Sequence, residues 1–294
     1  LTQKHTEMKD IQNFISKFYL ADENTDLFDE VFLEHYKSRG DERNQTFLWY
    51  ASDTKARYNN RENVYLNNHS RQIYDKNPII YNLNNYGFRT DADFATDEKG
   101  IITLGCSYTF GVGNYYNSTW GKKLANELNL RHFNLGVPGH SVDDCFYTML
   151  SYSDILNFDT VFFLIPPPFR YKYFIRDNKH VKHFYEQISN PFIDVPDKTV
   201  HNSYDETFLD IFERLYYGSI IEEYRMALKS IFSIIAFCKS NNKKIYINFC
   251  GNIPSPEKNE LMGRDGHYSL SQNEFIFQEF LKQQKEDKVF PINT

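Results

Sequence analysis

An α/β fold, with a parallel sheet covered by helices on both faces, is the architecture that this 294-residue sequence predicts. Two observations lead to it. From Gly100 onward, short apolar runs alternate with amphipathic stretches of helical period. Two of those runs also end directly in glycine-bounded turns, Gly105-Cys106-Ser107-Tyr108-Thr109-Phe110-Gly111 and Gly136-Val137-Pro138-Gly139-His140-Ser141, of the kind that carries chemistry at a strand's carboxyl end.

In chain order, residues 101–104 (Ile-Ile-Thr-Leu) predict a strand and 119–128 a helix. Strand 132–135 and helix 142–152 follow; Ser141 with Asp144 three residues on is the pattern of a capping box. Strand 160–165 leads into a segment with Pro166-Pro167-Pro168, Pro191 and Pro196, too rich in proline for a regular element. Residues 166–204 are therefore expected to form a substrate-facing loop or lid. A long helical stretch over 205–240, a strand over 245–249 and a helix over 271–286 complete the alternation. Residues 1–95 read differently: short amphipathic helices over 8–18 and 27–36 precede a polar, aromatic, Asn-rich stretch. They form an extension expected to pack on the main domain of residues 96–294.

Function is carried by the turns. Ser107, at the predicted strand-to-helix turn, is placed as a nucleophile would be, and its own N–H can face a developing oxyanion. A serine there could equally cap the helix, and the flanking glycines with the second turn favour the nucleophile. The Gly139 N–H is a candidate second oxyanion donor, since the missing side chain lets substrate approach the backbone. Asn134 is assigned to holding its turn. His140 could line the pocket, with a solvated loop histidine as the plainer alternative. Further on, Asp265 and His267 lie just before the last helix. Nucleophile, amide donors, acid and histidine thus occur in an order that a serine hydrolase could use.

At these residues the chain resembles the SGNH/GDSL hydrolase family. Gly105-Cys106-Ser107, with Thr109, Gly111 and Gly113 behind it, matches the Gly-Asp-Ser block; Asn134 to Gly139 matches the Asn-x-x-x-x-Gly block; Asp265 and His267 approach the Asp-x-x-His block. Upstream, Asn84-Asn85-Tyr86-Gly87-Phe88-Arg89 is similar to the Asn-x-x-Gly-Phe-Arg lead-in of a branch with an N-terminal extension. The resemblance spans roughly residues 80–285. It implies a three-layer α/β/α sandwich with a short parallel sheet of flavodoxin-like order, and a reaction in which Ser107 is acylated, His267 is the base and Asp265 orients the imidazole.

The chain departs from the family at two places. Asp265 and His267 are separated by one residue instead of two. In the third block, where the family has Gly-x-Asn-Asp and an Asn oxyanion donor, this chain has Ile165-Pro166-Pro167-Pro168-Phe169-Arg170. Losing one such donor typically costs about 2.7–4 kcal/mol of transition-state stabilisation. Arg170 is the candidate replacement, with a surface arginine paired to a local carboxylate as the alternative.

Composition narrows the classes. A net charge of -6 with mixed signs argues against nucleic acid as a partner. Cys106, Cys145, Cys238 and Cys250 lack paired spacing and read as reduced structural thiols. His180 and His183 have no accompanying carboxylate pattern, so neither a metal nor another cofactor is expected. No apolar stretch reaches the ~18 residues of a membrane span. The excess of Tyr and Phe over Trp, with abundant Asn and Lys, reads as coding bias before a carbohydrate-binding surface. The expectation is a serine esterase acting on a small acyl group of a glycan or other small ester, cytoplasmic or virion-associated. An acyltransferase using the same acyl-enzyme is one alternative, and a weakened fold kept for binding within a larger assembly such as a phage particle is another.

Overall fold

The structure is a computed structural model in which residues 43–48, 78–91, 93–94, 97–168, 170–177, 180–187, 220–254 and 269–289 are described. Its centre is a parallel four-stranded sheet: β3 (Gly100–Gly105), β4 (Arg131–Gly136), β5 (Phe158–Ile165) and β8 (Lys244–Phe249), in the order β4-β3-β5-β8. That is the 2-1-3-4 order of a flavodoxin-like sheet. Every residue of β3 is buried, as expected of a central strand covered on both faces.

Side-chain alternation along the strands divides the core into two layers. On one face Ile101, Phe162, Leu164 and Tyr246 meet Trp120 and Leu124 of α2 (Trp120–Glu127) and Ile276 and Phe280 of α5 (Leu270–Lys285). On the other, Ile102, Leu104, Phe133, Leu135, Val161, Phe163 and Ile245 meet Met149 and Tyr152 of α3 (Val142–Tyr152) and Ile231, Ile234 and Ile235 of α4 (Ile220–Ser240). Each such side chain, fully buried, contributes roughly 1.5–3 kcal/mol of transfer free energy. The three-layer α/β/α sandwich implied by the sequence is therefore the observed one. The expected capping box is present: Ser141 Oγ accepts from the Asp144 N–H at 3.1 Å, and Asp144 Oδ2 accepts from the Ser141 N–H at 3.0 Å.

One expectation needs correction. Within residues 166–204, β6 (Arg170–Asp177) and β7 (His180–Gln187) pair antiparallel, from Arg170 opposite Gln187 to Asp177 opposite His180. The prolines lie outside this span, which is itself rich in Tyr, Phe, Ile and Val, residues that suit strands. Of the helix expected over 205–240, Ile220–Ser240 is described and the remainder lies outside the described residues, as do the helices expected over 8–18 and 27–36.

Residues ahead of β3 also join the core. β1 (Thr46–Leu48) and β2 (Ile80–Asn82) form an antiparallel pair. Asn84 Oδ1 accepts from the N–H groups of Tyr86 (3.0 Å) and Phe88 (2.9 Å), closing a turn that includes Gly87 at φ +82°. The turn delivers Phe88 into the core beside Tyr152 and Phe94, and Phe94 in turn meets Phe133. Among the described residues no helix is long and apolar enough to cross a membrane.

Candidate active site

Strand β3 ends at Gly105, Cys106 takes the N-cap position, and Ser107 opens a four-residue helix, α1 (Ser107–Phe110). Ser107 is thus the first helical residue and not the cap, and its hydroxyl makes no capping bond; its neighbour is Cys106 Sγ at 4.0 Å. The residue is 5% exposed. As the first helical position, the Ser107 N–H has no acceptor within the helix, and none among the other described residues.

Two glycines form the floor of α1. A Cβ on Gly136 would stand 2.5 Å from the Phe110 nitrogen, and one on Gly105 would overlap the Thr109 side chain. The helix can lie across the ends of β3 and β4 because both positions lack side chains. At its far end Gly111 adopts φ +83° and its N–H returns to Ser107 O at 2.9 Å.

The second turn lies on the adjacent strand. Val137 N–H donates to Gly105 O at 3.2 Å, which carries the β3–β4 pairing one residue past Gly136. Val137-Pro138-Gly139-His140 then closes with His140 N–H donating to Val137 O at 3.2 Å and Gly139 at φ +84°, the geometry that favours Pro then Gly at its centre. The Gly139 N–H lies inside that turn and has no acceptor among the described residues. Asn134 holds the turn as expected, its Oδ1 accepting from Gly136 N–H at 3.0 Å. Asp143 Oδ1 accepts from the Ser230 hydroxyl at 2.9 Å and so ties α3 to α4.

Asp265 and His267 lie outside the described residues. Ser269, two positions after His267, is the N-cap of α5 and is closed by a capping box with Gln272. Asn273 Oδ1 accepts from the Trp120 N–H at 3.0 Å, and Gln272 Nε2 donates to Pro254 O at 2.8 Å. Both bonds fix the start of α5 beside the start of α2 and the exit of β8. At the other end of α5, Asp287 pairs with Lys244, the first residue of β8, at 2.7 Å. Helix α5 therefore runs antiparallel to the strands and begins at the edge where Ser107 and Gly139 sit. Arg170 is placed by its backbone as the first residue of β6, just beyond the three prolines that follow β5. A shallow groove among Glu98, Lys99, Asn126, Asn129 and Arg131 lies at the opposite, amino edge of the sheet.

One set of contacts has no counterpart in the sequence motifs. Arg89, 1% exposed, donates from Nη1 to Phe110 O (3.2 Å) and Gly111 O (2.5 Å), and from Nη2 to Asn114 O (2.6 Å). Its guanidinium lies 4.2 Å from the Tyr81 ring centre, and the Tyr81 hydroxyl accepts from the Gly113 N–H at 2.8 Å. Burial lowers the guanidinium to about 10, so it stays charged at neutral pH. Arg89 stands in the lead-in motif, but nothing in the sequence places its partners.

A further histidine, in β4, lies on the sheet face that α2 covers. His132 is buried between Thr103 Oγ1, 2.8 Å from Nε2, and the Tyr116 hydroxyl, 2.8 Å from Nδ1. Burial first, and then the Lys122 charge, push it down to about 3, which keeps it neutral.

No protein-family profile matches the sequence, and no curated protein does either. Among solved structures the chain is similar to a protein assigned to the G-D-S-L lipolytic family from Desulfitobacterium hafniense DCB-2, at 12% identity and a TM-score of 0.30, over 66% of this chain and 75% of that one. It is similar to a second member of that family from Veillonella parvula DSM 2008, at 12% identity and a TM-score of 0.27, over 65% and 75%. Overlaps of that size carry no argument about chemistry. The fold assignment stands on the sheet order and the two-layer core.

Proposed function

We propose that the protein is a serine esterase that removes a small acyl group from a carbohydrate, through an acyl-enzyme on Ser107. The observation that carries this reading is the pair of amides, Ser107 N–H and Gly139 N–H, that have no acceptor among the described residues and lie on turns that leave adjacent parallel strands at one edge. The Ser107 hydroxyl attacks the acyl carbonyl, the two N–H groups receive the oxyanion, and His267 takes the hydroxyl proton and returns it to the leaving alcohol. Water, activated by the same imidazole, then releases the acid and restores Ser107. Asp265 orients His267, and Arg170 supplies the donor that the third block lacks. The anchored start of α5 supports His267 as base, since two residues of extended chain reach at most about 7 Å. The carbohydrate ester is read from family resemblance and from the absence of an apolar acyl-binding stripe in the sequence.

A fluorophosphonate probe followed by intact mass tests the reading. One adduct is expected on the wild type, lost in Ser107→Ala and in His267→Ala and slowed in Arg170→Ala. An Arg170→Ala variant that labels at the wild-type rate would remove Arg170 from the mechanism. An unlabelled wild type would sink the esterase and favour a weakened fold kept for binding, a reading that the burial of Ser107 also favours. Acyl transfer to a sugar hydroxyl in place of water would appear as an acceptor-dependent product.

A further inference from the structure

The contacts around α1 give Arg89 a role beyond holding the fold together. We propose that it is a positioning residue for Ser107, by which the extension sets the nucleophile's geometry. This inference rests on Ser107 being the nucleophile of the esterase proposed above. A four-residue helix has no stability of its own, since nucleation is unfavourable and the last carbonyls of a helix lack partners. The place of α1 must therefore be imposed from outside. Gly105 and Gly136 supply the floor from below. From above, one planar guanidinium collects the carbonyls of Phe110, Gly111 and Asn114, while Tyr81 holds the Gly113 N–H. The same segment returns to Ser107, because the N–H groups of Gly111 and Val112 both donate to Ser107 O, at 2.9 and 3.1 Å. Moving the Gly111 carbonyl thus moves the backbone whose N–H and hydroxyl would face the substrate.

The chemistry of the clamp is specific. Arg89 has no carboxylate partner among the described residues; its buried charge is held by three carbonyls and by the faces of Tyr81, Phe110 and Tyr116. Lysine keeps the charge but has one nitrogen, which cannot reproduce a two-pronged fork on three acceptors. The lead-in Asn84-Asn85-Tyr86-Gly87-Phe88-Arg89 is then intelligible from its contacts: the Asn84 turn and buried Phe88 fix the backbone from which Arg89 reaches α1.

The test compares wild type, Arg89→Lys and Tyr81→Phe by fluorophosphonate labelling kinetics, with hydrogen exchange at residues 111–113 measured alongside. For folded Arg89→Lys the maximal labelling rate is expected to fall about ten- to hundred-fold, the scale of an ångström-level misplacement. Probe affinity and the pH inflection of labelling should stay as in the wild type, with Tyr81→Phe falling less. The amides of Gly111, Val112 and Gly113 should exchange faster in both variants. A wild-type rate constant in folded Arg89→Lys, with only a smaller fraction of protein labelling, means ordinary structural support and overturns the proposal. Should Arg89→Lys not fold, Tyr81→Phe decides by the same criteria. If the wild type itself does not label, the esterase reading fails and the catalytic half of this inference with it. Exchange then decides alone whether Arg89 holds the turn, and unchanged protection would refute that too.

Discussion

At the scale of single residues, the site depends on what is missing from two side chains. Gly136 lies in β4 with no room for a Cβ against the α1 backbone, so Gly136→Ala must either push α1 off the strand ends or distort β4. We expect Gly136→Ala to lose about 1–3 kcal/mol of stability, read from urea unfolding, and to lose Ser107 labelling more than that instability explains. The glycines were visible as turn markers, and so was Ser107. That Ser107 is the first helical residue with Cys106 at the cap was not, because cap and first position differ by one residue and no local signal separates them. The partners of Arg89 were equally hidden. A charged residue next to Phe88 reads as surface until one knows that three carbonyls of a distant turn surround it, which is why its burial costs less than that of an unpaired charge.

Among the elements, α5 decides where the proposed base can act. Its first turn is held to α2 by Asn273 and to the β8 exit by Gln272, so its orientation depends on those two side chains as well as on Phe280 against Trp120 and Phe162. Phe280→Ala is expected to cost about 3–5 kcal/mol in equilibrium unfolding, a core truncation. Asn273→Ala is expected to cost less, about 1–3 kcal/mol, by leaving the Trp120 N–H unpaired. It should also lower Ser107 labelling, because His267 lies just ahead of the tethered turn. Labelling unchanged in folded Asn273→Ala would argue that the base does not depend on this anchor. The helix periods and the capping box of α3 could be read directly along the chain, since they act within four residues. The β6–β7 pair could not, as the flanking prolines masked a proline-free core suited to strands.

For the molecule as a whole, the buried His132 couples stability to pH. Its folded value of about 3 lies below the ~6.5 of an unfolded histidine. Above pH ~6.5 neither state binds the proton, and stability is full. Below it the unfolded chain takes up a proton that the native state refuses, so stability is lost as pH falls toward 3, at up to about 1.4 kcal/mol per unit. Urea midpoints measured at pH 7, 5.5 and 4 should fall along this slope for the wild type and fall less steeply for His132→Gln. Equal slopes would mean that the acid sensitivity comes from other groups. The same network joins the extension to the sheet, since Tyr116 also approaches Thr90 and the neighbouring Asp91 pairs with Lys122 at 2.7 Å. By itself the sequence determined the order and type of the core elements, the two glycine-bounded turns and the proposed Ser107 and Gly139 pair, because strand and helix periodicity and turn chemistry are local properties of the chain. Only the tertiary structure decided how the extension grips α1 through Arg89, that His132 is sealed as a neutral hydrogen-bonding group, and that α5 starts at the serine's edge. Each of these depends on side chains tens of residues apart meeting in a desolvated interior, where packing and unsatisfied carbonyls select partners that sequence neighbourhood cannot name.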